Sequence, residues 1–330
     1  MLQPILRRLF DYKTLTKEEA REILIKITHE EYNKSEVVAF LSAYMMRNVT
    51  VEELSGFRDA LLEMCVHVDL SDFNTIDMCG TGGDGKNTFN ISTLASLVIA
   101  GAGQKVSKHG NYGVSSACGS SNVMESMGYK FTNDVDSLRR QLDQAGICFL
   151  HAPLFNPAMK AIAPIRKELG VKTFFNMLGP MVNPSFPQNQ LVGVFNLELA
   201  RLYNYIYQLT DKNYAILHSL DGYDEVSLTG SFKAIFRQGE RLMTPADLHM
   251  KQIKQEDIFG GNTVAEAARI FTDILDGKGT EAQNNVVLAN AAMGLKCVSA
   301  EKDIVTCIEE ARTSLMSGKA KIALKKLIEA

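Results

Sequence analysis

The stretch that most constrains this chain is Asp77-Met78-Cys79-Gly80-Thr81-Gly82-Gly83-Asp84-Gly85-Lys86-Asn87-Thr88-Phe89-Asn90-Ile91-Ser92-Thr93. Residues 75–79 before it read as a short buried strand. Residues 94–102 (LASLVIAGA) after it read as an apolar helix, with Asn90, Ser92 or Thr93 available as its N-cap. Glycines between a strand and a helix start let the backbone turn tightly and aim its N–H groups at one point. That point also feels the positive end of the helix dipole, so it suits an anion, above all a phosphate.

Two common phosphate loops fit only in part. Gly80-x-Gly82-x-x-Gly85 matches the dinucleotide fingerprint, but that fingerprint wants an acid about 20 residues on, for the ribose hydroxyls. The next strand reads instead as 104–107, leading into the cation of Lys108-His109. Gly80-x-x-x-x-Gly85-Lys86 nearly matches an NTPase loop, yet Asn87 stands where Ser or Thr meets magnesium. The plain alternative is a glycine loop that serves only as a turn.

With 330 residues, the chain can bury two domains' worth of core. A net charge of −3 argues against nucleic acid or an anionic membrane as partner, so any phosphate affinity must be local. Arg7 and Arg8 arrive before any signal-like apolar run, and no stretch reaches the ~18 apolar residues of a membrane span. The six cysteines show no C-x-x-C pair and read as reduced core thiols, which points to a cytoplasmic protein.

Residues 1–70 read as helices only. Thr16-Lys17-Glu18-Glu19 and Thr50-Val51-Glu52-Glu53 are capping-box patterns, and Ser35 is placed to cap the helix between them. From 71 to 330, strands read at 75–79, 104–107, 147–150, 190–194, 214–218 and 232–237, with helical stretches between several of them. The fold class expected is α/β: a small helical N-terminal domain plus a larger α/β domain with a mostly parallel central sheet flanked by helices. Residues of about 157–185 interrupt the rhythm and are placed to return to the helical part.

Ligands of such sheets sit at the carboxyl ends of the strands. A second loop reads there, Lys108-His109-Gly110-Asn111-Tyr112-Gly113-Val114-Ser115-Ser116-Ala117-Cys118-Gly119-Ser120-Ser121, rich in hydroxyls and amides, with Ser120 or Ser121 capping the next helix. A third element, Asp221-Gly222-Tyr223-Asp224-Glu225, offers paired carboxylates of the kind Mg²⁺ takes alongside water and substrate phosphates. The plain reading of that pair is solvated surface.

Together these loops resemble the anthranilate phosphoribosyltransferase family. So do Asn156-Pro157-Ala158-Met159-Lys160, Arg166-x-Glu168-Leu169-Gly170 and Asn176-x-Leu178-Gly179-Pro180-x-x-Asn183-Pro184. The resemblance implies transfer of phosphoribosyl from phosphoribosyl pyrophosphate to anthranilate, with Mg²⁺, in a homodimer joined through the helical domain. It implies a phosphoribosyl pyrophosphate site at Gly80, Gly83, Asp84, Thr88, Asn90, Ile91, Ser92, Thr93, Lys108, His109, Gly110, Asn111, Ser115, Ser116 and Ser120. Gly80, Asn111 and Arg166 would meet anthranilate, and Ser92, Asp224 and Glu225 the metal.

Lys108 and Ser92 are the groups favoured for stabilising charge. No general base is assigned, because an aromatic amine is already neutral at pH 7; His109 and His151 are the only candidates, and a lone histidine is more often structural or a hydrogen-bond donor. Two departures stand out. The family commonly has Arg-Ala or Arg-Ser where this chain has Tyr112-Gly113, and often Ala-Asp where it has Ser121-Asn122. The rival readings are a pyrimidine-nucleoside phosphorylase, which is typically longer, a non-catalytic nucleic-acid-binding relative, and a P-loop nucleotidase.

Overall fold

The computed structural model describes residues 1–113 and 118–330. The chain forms two compact units: Met1–His67 with Ala152–Pro184, and Val68–His151 with Ser185–Ala330.

The first unit is helical, with Gln3–Phe10, Lys17–Thr28, Lys34–Met46 and Val51–Glu63 followed by the returning helix Ala158–Leu169. Thr16 and Thr50 close the capping boxes with Glu19 and Glu53. The third helix is capped by Asn33 rather than Ser35, because Asn33 lies in the extended backbone and Glu36 completes a box with it. Gly56 lets two helices touch, since a Cβ there would stand 2.2 Å from the Lys17 carbonyl oxygen. Phe40, Tyr44, Phe57 and Phe174 form an aromatic core, Phe57 and Phe174 stacking at 4.2 Å. Buried Glu53 accepts from Arg47, Tyr44 Oη and the Leu15 N–H. Burial alone would raise its pKa, but these donors outweigh that and hold the carboxyl below its usual range.

The second unit carries a seven-stranded sheet in the order β3-β2-β1-β4-β5-β6-β7. The strands are β1 Ile76–Gly80, β2 Val106–Gly110, β3 Ile147–His151, β4 Asn189–Gly193, β5 Asn213–Ser219, β6 Phe232–Phe236 and β7 Gly239–Met243. The first five are parallel, and β6 and β7 extend the sheet antiparallel. Helices Ile91–Gly101 and Glu281–Val298 pack on each other and on the sheet, and both are buried along most of their length. Because the first five strands are parallel, Gly80, Gly110, His151, Gly193 and Ser219 all end at one edge.

Two sequence expectations change here. The second strand begins at Val106 and runs to Gly110, so Lys108, His109 and Gly110 lie inside β2 and the loop starts at Asn111. The segment 232–237 is followed by a further strand, β7, which forms a hairpin with it.

Candidate active site

The glycine loop leaves β1 at Gly80. Gly82, Gly83 and Gly85 have φ of 64°, 76° and 73°, the left-handed region that only glycine enters cheaply. Thr81 N–H donates to Gly193 O at 2.9 Å, Gly82 N–H to Asp224 Oδ2 at 2.7 Å, and Ser92 N–H to Glu225 Oε1 at 3.2 Å. Lys86 Nζ sits over the Tyr223 ring, 4.6 Å from its centroid. The glycine loop and residues 221–225, which follow β5, are thus tied together at several points. Asn87, the residue that spoils the NTPase match, holds the neighbouring segment instead: its Nδ2 donates to Gly261 O at 2.9 Å, and its carbonyl accepts from Gly260 N–H at 2.8 Å. Thr88 pairs with Phe259 in an isolated bridge.

Asp224 and Glu225 are not solvated surface. Both are only partly accessible, and Glu225 Oε2 is buried without a hydrogen-bond partner among the described residues. Burial pushes the Asp224 carboxyl up, to about 7, with the nearby Asp84 charge adding to the effect. Burial, then Asp224 and Asp84, push Glu225 up as well, while Lys108 works in the opposite direction. Three carboxylates gathered beside one buried lysine call for a further cation. Among the described residues no cluster of three or more His, Cys, Asp or Glu side chains could hold a metal by itself. Mg²⁺ takes one or two carboxylates and fills its shell with water and substrate phosphate oxygens. The orphaned Glu225 Oε2 and the raised carboxyls therefore fit the metal.

Lys108 is 1% exposed; its Nζ donates to Met78 O and lies 3.5 Å from Ser92 Oγ. A lysine this deep is expensive to bury, and its contacts place the Nζ between β1 and the start of the helix Ile91–Gly101. His109 N–H donates to Asp77 Oδ1 at 3.0 Å, and Gln190 Nε2 to Asp77 Oδ2 at 3.2 Å. Asp77 thereby links β1 to both neighbours.

The remaining expected residues divide. Ile91 and Thr93 turn their side chains into the core, each 1% exposed, so only their backbone is near the loop. Asn90 occupies the N-cap position without a capping bond; its Nδ2 donates to Cys118 O at 3.1 Å. The helix Ser120–Ser126 is capped by Gly119 and Asn122 rather than by Ser120 or Ser121, with Asn122 Oδ1 accepting from Gly119 N–H and Gly113 N–H, both at 3.0 Å. Ser120 Oγ donates to Asn111 O at 3.3 Å. Ser115 and Ser116 lie outside the described residues. Arg166 belongs to the helical unit, where it lies 3.5 Å from Asn176 Oδ1 and over Phe175. Glu168, two residues on, pairs with Lys34.

Three supports went unread in the sequence. Ser219 Oγ donates to Glu225 O at 2.6 Å, and Asn290 clasps Val226 through both its N–H and its carbonyl, at 3.0 and 2.9 Å. Asn290 left a signal, a lone amide in the apolar run VVLANAAMG. Gly193 left none.

Residues 72–321 match the glycosyl transferase family α/β domain, and residues 3–65 its helical bundle domain. An anthranilate phosphoribosyltransferase from Flavobacterium psychrophilum is 62% identical over 326 residues, covering 99% of this chain and 98% of that protein. The crystal structure of the enzyme of that name from Thermus thermophilus superposes with a TM-score of 0.92 at 29% identity, covering 98% of each chain. That from Saccharomyces cerevisiae in complex with PRPP and Mg superposes at 0.91 and 27% identity, covering 99% of this chain and 97% of that one. The chain belongs to the anthranilate phosphoribosyltransferase family.

Proposed function

We propose that this chain transfers the phosphoribosyl group of phosphoribosyl pyrophosphate to the amine of anthranilate, giving N-(5-phosphoribosyl)anthranilate and pyrophosphate, the second step of tryptophan biosynthesis from chorismate. The observation that carries the reading is buried Lys108 beside Ser92, with the Gly82 and Ser92 amides tied to Asp224 and Glu225. The anomeric C–O bond to pyrophosphate breaks, the amine nitrogen bonds to the same carbon, and the amine proton leaves to solvent. Gly80, Gly83, Asp84 and Thr88, with Asn90, Ile91, Ser92 and Thr93, surround the substrate's phosphates. Lys108 and Ser92 stabilise the negative charge gathering on the leaving pyrophosphate, which is catalysis by positioning and electrostatics. His109, Gly110, Asn111 and Ser120 line the rest of that substrate, and Ser115 and Ser116, expected with them, lie outside the described residues. Gly80, Asn111 and Arg166 meet anthranilate, Arg166 at its carboxylate.

Ser92, Asp224 and Glu225 would hold Mg²⁺, which supplies Lewis-acid charge neutralisation to the diphosphate when bound. Exposed Phe10, Tyr12, Met45 and Met46 on the helical unit support a homodimer joined through it. The cysteines are free, in keeping with the reduced thiols of a cytoplasmic protein. Among the described residues no helix is long and apolar enough to cross a membrane.

The test follows anthranilate fluorescence in the presence of phosphoribosyl pyrophosphate and Mg²⁺. Loss of the signal should match pyrophosphate release and require all three components. Inertness toward anthranilate, together with phosphate-dependent cleavage of pyrimidine nucleosides, would overturn the reading in favour of a nucleoside phosphorylase.

A further inference from the structure

His151, the last residue of β3, takes no part in the chemistry above, yet it is 5% exposed and sits opposite Gly110 in the sheet register. Its ring stacks on Phe131, with centroids 4.3 Å apart and planes 19° from parallel. Tyr112 meets the imidazole in an edge-to-face arrangement, with centroids 4.8 Å apart. Its Nδ1 lies 2.8 Å from Ser121 Oγ, in a buried hydrogen bond. Ser121 N–H donates to Asn111 O at 3.0 Å, and Tyr112 N–H to Asn111 Oδ1 at 2.8 Å. One imidazole therefore touches two residues, Tyr112 and Ser121, that each hydrogen-bond to Asn111. If the slot served only core packing, an apolar ring would fill it without the cost of desolvating a polar group.

We propose that His151 is a positioning residue for phosphoribosyl transfer: its ring fixes Tyr112 and its Nδ1 fixes Ser121, and together these hold the Asn111 turn at the carboxyl edge of the sheet. This rests on the function proposed above, in which Asn111 faces both substrates. The charged and titratable groups around the ring are Glu125 on the helix Ser120–Ser126, His109 on β2 and the Tyr112 phenol. Burial, the dominant influence, lowers the His151 pKa; Glu125 opposes that and His109 reinforces it. The ring is accordingly neutral at pH 7, and Nδ1 is free to take whichever role the Ser121 hydroxyl requires.

The test compares His151→Phe, which keeps the stack and deletes the hydrogen bond, with His151→Asn, which keeps a hydrogen-bonding group near Nδ1 and deletes the stack. Ser121→Ala is the third variant, since it breaks the same bond without disturbing the aromatic column. His151→Phe and Ser121→Ala should each lower kcat/KM about tenfold, the scale of one hydrogen bond. The thermal midpoint should stay at or above the wild-type value in His151→Phe. The double variant should be no worse than either single one, because both delete one link, and His151→Asn should recover part of the loss. Wild-type kcat/KM in Ser121→Ala, or losses that simply multiply in the double variant, would overturn the proposal. A wild-type protein inert toward anthranilate would instead count against the proposed function.

Discussion

Gly193 leaves no room for a side chain beneath Asp224: a Cβ built on it would stand 1.4 Å from the Asp224 carbonyl oxygen. The opposite glycine in the register, Gly80, is as tightly placed, its Cβ position lying 2.4 Å from Asp224 Oδ2. Asp224 is seated directly on two adjacent strand ends, and only a bare backbone permits that approach.

Gly193→Ala must therefore displace residues 221–225, because backbone and not a flexible side chain stands in the way. A shift of about 1 Å at such a site costs on the order of 10²-fold in rate. We expect kcat/KM to fall by about that factor and the Mg²⁺ requirement to rise, while the far-ultraviolet circular dichroism is unchanged. Wild-type kinetics would show that the loop yields without consequence.

The carboxyls of Asp224 and Glu225 are raised by burial first, then by the charge of Asp84 on Asp224 and those of Asp224 and Asp84 on Glu225. A carboxyl raised in the folded state binds its proton more tightly there than in the unfolded chain. Its contribution is fully present below the unfolded value of about 4, and is lost as pH rises through the folded one, about 7 for Asp224. Without Mg²⁺, the thermal midpoint should fall between pH 5 and pH 8. Mg²⁺ should restore it, and by more at pH 8 than at pH 5. Asp224→Asn with Glu225→Gln should flatten that pH slope, abolish the Mg²⁺ effect and cut turnover by about 10²–10³-fold. Equal Mg²⁺ shifts in the double variant and the wild type would place the metal elsewhere.

How much of this was legible depended on distance along the chain. The boxes at Thr16–Glu19 and Thr50–Glu53 close within one helical turn, so local pattern was enough. The glycine loop announced itself for the same reason, and its resemblance to a family carried the rest of the site. β7 was missed because it is an exposed edge strand, with Gly239, Glu240, Arg241 and Leu242 all facing solvent, and so it shows no apolar alternation. Lys108 was read as the tip of a loop because β2 buries polar residues along its length, Ser107, Lys108 and His109 included. Gly193 and Asn290 act on Asp224 and Val226 across 31 and 64 positions (224 − 193 and 290 − 226), a pairing that only the folded sheet creates.

Lys108→Met tests the buried cation while keeping the volume of the side-chain stem. Hydrogen bonds to charged groups contribute about 1.5–3 kcal/mol, which is roughly 10–100-fold in binding. The KM for phosphoribosyl pyrophosphate should rise within that range, and the KM for anthranilate should change by less than about threefold, below one such bond. An equal rise in both, seen in steady-state titrations, would mean that the glycine loop itself had collapsed.

Arg166 is the remaining cation. It stands near the end of the helix Ala158–Leu169, half-buried, and burial lowers its pKa. Among the described residues no carboxylate pairs with it, and its polar contact, Asn176 Oδ1 at 3.5 Å, is long. Phe175 lies 5.2 Å below the guanidinium and fixes the plane of its fork. A guanidinium kept from water without an acid is costly, and a planar fork of this kind is completed by a carboxylate accepting two parallel hydrogen bonds. Anthranilate carries its carboxylate ortho to the reacting amine, so the grip that binds it would also orient the nucleophile. Arg166→Ala should weaken anthranilate binding by about 1.5–3 kcal/mol and leave phosphoribosyl pyrophosphate binding nearly unchanged. Arg166→Lys should recover little, because an ammonium cannot reproduce the fork. Calorimetric titration of both substrates decides the matter. Unchanged anthranilate affinity with a lowered thermal midpoint would make Arg166 a structural residue of the helical unit instead.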